Sequence, residues 1–253
     1  MKRKVRLFVL VILLAFCISC AADERAEQRA KVHFGLGYNQ LRQGEATSAL
    51  REFLEAEKLN PHDPEIQYGL GMAYDAKGRY PLALEHYRKA LELNPKYTEV
   101  HNAMGATYLE MGKWDEAIQE FNLVLNDLLY LTPFYALNNL GYAYYKKGNL
   151  TRAIENYKKA IGMKPDFGLA YYNLGLAYKD SKQPDQAISA LRSAITHAPD
   201  FWDAHFLLGE LYFNAGKKDA AKKSFEEVVR LAPQSQKAQI AKHYLELLEK
   251  KDQ

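Results

Sequence analysis

Residues 134–167 read FYALNNLGYAYYKKGNLTRAIENYKKAIGMKPDF, and the spacing of a few of them returns along the whole body of the chain. Gly141 is followed three residues later by Tyr144, twelve later by Ala153, sixteen later by Tyr157 and twenty-four later by Pro165. The glycine recurs as Gly37, Gly71, Gly105, Gly141, Gly175 and Gly209, at intervals of 34, 34, 36, 34 and 34 residues. The ring recurs as Tyr74, Tyr108, Tyr144, Tyr178 and Tyr212, with Gln40 in the first unit. The alanine recurs as Ala49, Ala83, Ala117, Ala153, Ala187 and Ala221, and the large apolar residue after it as Phe53, Tyr87, Phe121, Tyr157, Leu191 and Phe225. Proline closes five units, at Pro61, Pro95, Pro165, Pro199 and Pro233. A fixed period of this length marks a repeat architecture.

The spacing resembles the tetratricopeptide repeat (TPR), a helix-turn-helix unit of 34 residues, and predicts an all-α TPR superhelix. Glycine in the first helix and alanine in the second let two antiparallel helices approach closely. Gly44, Gly78, Gly112, Gly148 and Gly216 fall where the first helix must end, and glycine reaches the left-handed conformation of such a turn without cost. Proline after the second helix cannot continue it. One hairpin cannot bury its own apolar face, so stacking of neighbours is obligatory. The units are placed at 30–63, 64–97, 98–133, 134–167, 168–201 and 202–235. Residues 236–253, with Ile240, Ala241, Tyr244, Leu245 and Leu248 on one stripe, are predicted to form a capping helix. The third unit is two residues too long and ends Asn126-Asp127-Leu128-Leu129-Tyr130-Leu131-Thr132-Pro133.

The N-terminus carries a different signal. Lys2, Arg3, Lys4 and Arg6 precede the apolar run LFVLVILLAF at 7–16. A basic stretch followed by a short apolar one is the secretory pattern, too short to span a bilayer comfortably as a permanent helix. Cys17-Ile18-Ser19-Cys20 resembles a bacterial lipobox, with Ser19 as the small residue before the cut and Cys17 standing where leucine is usual. That likeness makes 1–19 a lipoprotein signal peptide, Cys20 the acylated residue and 20–29 a short tether. Acyl chains contribute about 0.8 kcal/mol per buried CH₂, and two or more hold a protein stably on a membrane. Ala21, rather than aspartate, resembles lipoproteins released to the outer membrane. A plain signal peptide cut near Ala21 or Ala22, or an uncleaved anchor, is the alternative left open.

With 253 residues, 48% of them hydrophobic, the chain can bury a sizeable core and is not a disordered one. The net charge of +3 belongs to the N-terminal segment. Without its four cations, 30 positive side chains face 31 negative ones, a balance of −1 that offers a polyanion such as nucleic acid nothing to bind. Cys17 and Cys20 are the only cysteines, which excludes a disulfide framework or a cysteine zinc site in the body. No H-E-x-x-H, G-x-S-x-G or phosphate-binding loop occurs. Gly35-Leu36-Gly37 and Gly69-Leu70-Gly71 lack the third glycine of a dinucleotide fingerprint and read as helix-packing glycines. The chain is therefore expected to be a binding protein and not an enzyme, with no cofactor, no metal and no small-molecule substrate.

In a stacked TPR array the first helices line the inner face. The inward positions hold Phe34, Tyr38 and Leu41, then Tyr68 and Met72, then Asn102. Further along they hold Tyr135, Asn138, Tyr142 and Tyr145, then Tyr172 and Leu176, then Phe206 and Phe213. Aromatic side chains bury large area at small entropic cost and dominate interface energetics. Asn102, Asn138, Asn139 and Asn173 are candidates for hydrogen bonds to a bound backbone. Glu65, Glu99 and Asp203 stand where a carboxylate-clamping TPR domain would need cations, so the expected ligand is an apolar or amphipathic protein segment.

A lipobox, six TPR units and a stretched third unit together resemble the type IV pilus pilotin family, the PilF, PilW and Tgl group of TPR lipoproteins. The carrying residues are Asp127-Leu128-Leu129-Tyr130, then Pro133, then Leu137-Asn138-Asn139-Leu140-Gly141, with Leu128 standing where the family has proline. The resemblance implies an outer-membrane lipoprotein on the periplasmic face that binds secretin subunits and promotes their localisation and multimerisation in type IV pilus biogenesis, and with it twitching or gliding motility. A general periplasmic scaffold that recruits peptidoglycan enzymes or outer-membrane assembly factors is the alternative.

Overall fold

The computed structural model describes residues 24–250, and everything along them is helix or short turn with no strand. The helices are α1 (24–42), α2 (Ala46–Leu59), α3 (Pro64–Ala76), α4 (Tyr80–Leu93), α5 (Thr98–Glu110), α6 (Trp114–Asn126), α7 (Pro133–Lys146), α8 (Leu150–Met163), α9 (Gly168–Asp180), α10 (Pro184–His197), α11 (Trp202–Asn214), α12 (Lys218–Leu231) and α13 (Gln236–Lys250). The signal, Cys20 and the first residues of the expected tether lie outside the described residues. Residues 24–29, expected to belong to that tether, are helical and part of α1.

The chain divides into two compact units, through Lys113 and from Trp114. The division falls inside the third repeat, so α5 closes the first unit and α6 opens the second. In the first unit Gly37 and Gly71 meet the large residue of their own second helix, and Gly69 meets that of the preceding repeat. A Cβ on Gly71 would sit 2.3 Å from the Tyr87 ring, one on Gly37 2.9 Å and one on Gly69 2.6 Å from the Phe53 ring. Phe53 and Tyr87 are in turn buried, as are Ala49, Ala56, Ala83 and Ala90. Gly35 departs from expectation: nothing lies within 4 Å of a Cβ placed there, so it is no packing glycine.

The second unit repeats the arrangement. Gly141 meets Tyr157, Gly175 meets Leu191 and Gly209 meets Phe225, each 2.7 Å from a built Cβ. Its last hairpin is covered by α13, where Ala238, Ala241 and Leu248 are buried and Tyr244 stacks on Phe225 at 4.6 Å. Lys237 of α13 ion-pairs with Asp203 of α11. Ile240, expected on the buried stripe, is 40% exposed, because α13 turns only one side to α12.

The five turn glycines, 44, 78, 112, 148 and 216, all adopt positive φ. In the fifth repeat the same turn is made by Lys182, at φ 59°. Its N–H bonds the Lys179 carbonyl and the Gln183 N–H bonds the Tyr178 carbonyl, a Schellman closure that demands the left-handed residue. A side chain in that region costs about 1–2 kcal/mol, of which the greater freedom of unfolded glycine gives part back. Lys182→Gly is therefore expected to stabilise the second unit by about 1 kcal/mol, read as a rise in the urea midpoint.

The first unit also buries a polar chain. Gln67 Nε2 donates to Glu57 Oε1 at 2.9 Å, and Gln67 Oε1 accepts from His86 Nδ1 at 2.8 Å, so the ring carries its proton on Nδ1. Tyr74 stacks on the same ring at 5.3 Å. Burial, then the nearby Lys89, lowers the His86 pKa, while Glu57 and Glu85 oppose this in part. The unfolded chain thus takes up this proton before the folded one. Stability is expected to fall as pH drops below about 6.5, by at most about 1.4 kcal/mol per pH unit until the folded ring also titrates. Urea titrations at pH 7.5 and 5.5 should show a larger difference in the parent chain than in His86→Gln.

Candidate partner-binding faces

In the first unit the inward positions form an aromatic patch with an acidic margin. Tyr38 is 46% exposed beside the half-buried Phe34, at 6.5 Å between ring centres. Tyr68 packs 5.3 Å from Tyr97 and 5.9 Å from Tyr87, and Met72 is half-buried on the same helix. The Tyr97 hydroxyl is held above its ordinary pKa, first by burial and then by the Glu65 carboxylate, with Tyr68, Glu99 and Asp63 adding to it. Both Glu65 and Glu99 are exposed. Asn102 does not offer the acceptor expected of it, since its Oδ1 is enclosed and has no partner.

In the second unit Tyr135 is 46% exposed and rests on Phe134 at 4.4 Å and Phe167 at 5.3 Å. Tyr142 is half-buried, its ring edge-on to Trp114 at 6.5 Å. The Lys146 ammonium stands 5.5 Å from the Tyr142 ring centre and 6.0 Å from that of Trp114. The Tyr145 hydroxyl donates to Asp180 Oδ2 at 2.6 Å, and burial followed by this bond raises its pKa. Tyr172 lies 4.7 Å from Phe201, and burial, then Asp203 and Glu210, pushes its hydroxyl up to about 12. Leu176 is half-buried beside it.

Two of the inward residues are not surface at all. Asn138 is 3% exposed, accepts from Asn173 Nδ2 at 2.9 Å and donates to Asn139 Oδ1 at 3.3 Å, so these amides join α7 to α9 instead of meeting a ligand. Phe206 is 7% exposed and lies edge-on to Phe225 within the last core. Phe213 keeps part of its surface, but Tyr244 of α13 covers it at 4.9 Å.

Sequence reasoning missed Tyr97, Phe167 and Phe201, the rings against which Tyr68, Tyr135 and Tyr172 rest. A signal was present. Each stands two residues after a unit-closing proline (Pro95, Pro165 and Pro199), where the chain enters the next first helix. Among the described residues, no group of three or more His, Cys, Asp or Glu could hold a metal ion. No described helix is long and apolar enough to cross a membrane.

Comparison with known proteins supplies the family. Residues 34–98 and 172–236 match a tetratricopeptide repeat family, and 76–128 and 141–182 match two further TPR families. Curated protein sequences yield no match. Among solved structures, Pseudomonas aeruginosa PilF is similar at a TM-score of 0.75 and 19% identity, over 86% of this chain and 98% of that one. PilW, described as a widely conserved type IV pilus biogenesis factor, is similar at 0.77 and 21% identity, over 83% of this chain and 97% of that one. YrrB, a TPR protein with an unusual peptide-binding site, reaches 0.57 and 20% identity, over 76% of this chain and 97% of that one. At these identities the likeness speaks for the fold. With half of its length in direct agreement and paired helices throughout its described residues, the chain belongs to the tetratricopeptide repeat family.

Proposed function

We propose that this chain is a pilotin: an outer-membrane lipoprotein that binds secretin subunits and promotes their localisation and multimerisation for type IV pilus biogenesis. The observation that carries the reading is its likeness to PilF and PilW over nearly the full length of each. The two-residue extension at Asp127–Tyr130 is in keeping with it. On this reading no chemistry is required of the protein. Acyl chains on Cys20 fix its place, and each set of half-exposed rings on the first helices (Tyr38 and Tyr68 in the first unit; Tyr135, Tyr142 and Tyr172 in the second) offers a face to an amphipathic segment of the secretin.

Deleting the gene is expected to remove secretin multimers while leaving monomers, and re-expression to restore them. Multimers that persist, alongside altered cell-wall products, would instead mark a scaffold for peptidoglycan enzymes. Cys20→Ser is expected to abolish acyl labelling and to release the protein from the outer-membrane fraction. Undiminished labelling would defeat the anchor assignment.

A further inference from the structure

The loop between α6 and α7 exposes apolar side chains to a degree found nowhere else among the described residues. Leu128, Leu129 and Leu131 are 94%, 87% and 92% exposed, whereas the next large apolar residues, Val32 and Met163, are 59% and 58%. The leucines are held outward by a turn. The Leu129 N–H bonds the Asp127 carboxylate at 2.9 Å, and the Tyr130 N–H bonds the Asp127 carbonyl at 3.2 Å. From Leu128 through Tyr145 no charged residue occurs, the longest uncharged run in the chain. The Phe134 and Tyr135 rings just beyond the loop meet Phe167 of the α8–α9 loop at 5.6 Å and 5.3 Å, which joins the two loops into one edge. That edge also exposes Met163, and Lys164 places its ammonium 5.6 Å from the Phe134 ring.

We infer that this edge of the second unit enters the surface of a lipid bilayer, with Leu128, Leu129 and Leu131 in the acyl region. Side chains this exposed form a knob and not a groove. Hydrocarbon accepts a knob without a matching shape, whereas a stable protein interface draws on about 20–30 residues a side. A charge placed in hydrocarbon costs several kcal/mol, and the loop carries none beyond Asp127. The turn already satisfies two of its backbone donors, which a hydrocarbon surface requires. Tyr130 and Tyr135 suit the boundary between headgroup and chain, and Lys164, ion-paired with Asp166 at 2.8 Å, supplies a polar margin beside them. A loop of this length makes a shallow contact, about 5–10 Å deep. It stands whether or not a secretin is the partner.

The test places an environment-sensitive nitrobenzoxadiazole dye on Leu129→Cys, in the full chain carrying Cys17→Ser and Cys20→Ser. A second chain bears the same label at Ser189→Cys, on the exposed side of α10. Both are mixed with vesicles of phosphatidylethanolamine and phosphatidylglycerol and recovered by flotation. The label at 129 is expected to shift to the blue, to brighten, and to be quenched by lipids with a nitroxide on the acyl chain, while the label at 189 does none of these. Leu128→Asp with Leu131→Asp beside the label should abolish the shift at unchanged circular dichroism. The proposal is overturned by an unshifted label on floated protein, by protein that does not float, or by a shift that survives the two aspartates. A shift without vesicles that grows with protein concentration overturns it in favour of contact between copies.

Discussion

Gly71→Ala is expected to lower the stability of the first unit by up to about 3 kcal/mol, the upper range for forcing a methylene into a packed core. The new Cβ would stand 2.3 Å from the Tyr87 ring, which is 1% exposed and so cannot move aside into solvent. Tyr87→Ala alone should cost about 3–5 kcal/mol through the cavity it leaves. Combined, the two should cost clearly less than their sum, because the added methyl occupies space the ring has vacated. Gly35→Ala supplies the opposite sign, a gain of about 0.5–1 kcal/mol, since its site is open and alanine is the better helix residue. Urea unfolding of the four variants decides the matter. A parental midpoint for Gly71→Ala would show that helix and ring do not meet as closely as described.

On the proposed pilotin function, Tyr142→Asp should weaken capture of a secretin subunit at least about thirty-fold, the equivalent of about 2 kcal/mol for an aromatic anchor at an interface. The ring is half-exposed and meets Trp114 edge-on, so its loss leaves the core beneath α7 intact. Ser189→Asp, on the exposed side of a second helix, should leave affinity unchanged. Titration calorimetry with a purified secretin subunit reads both, and circular dichroism checks the fold. Equal affinities would move the contact away from the inner face of the second unit.

The repeat frame carried most of the fold in plain sight. The turn residues followed from glycine spacing alone, and all five glycines take the left-handed conformation. The fifth repeat shows the limit of that reasoning, because Lys182 makes the same turn with a side chain that no spacing rule would choose. The inner face was less legible. Register tells which side of a helix a residue occupies, but not how much of it the following element covers. Phe206 sits in the right register yet is covered by Phe225, and Asn138 is claimed by Asn173 from the next repeat. The rings that support the face come from the connections after the prolines, outside the helical periodicity, which is why Tyr97, Phe167 and Phe201 were overlooked.

The contacts of Gly37, Gly71, Gly141, Gly175 and Gly209 with the ring or leucine of their own second helix join residues sixteen positions apart. Closure of so short a segment loses little chain entropy, so such contacts form early and quickly. Each hairpin can act as its own nucleus and recruit its neighbours in either direction. The amides of α13, which packs on one side only, should exchange with deuterium well before those of α9 and α10.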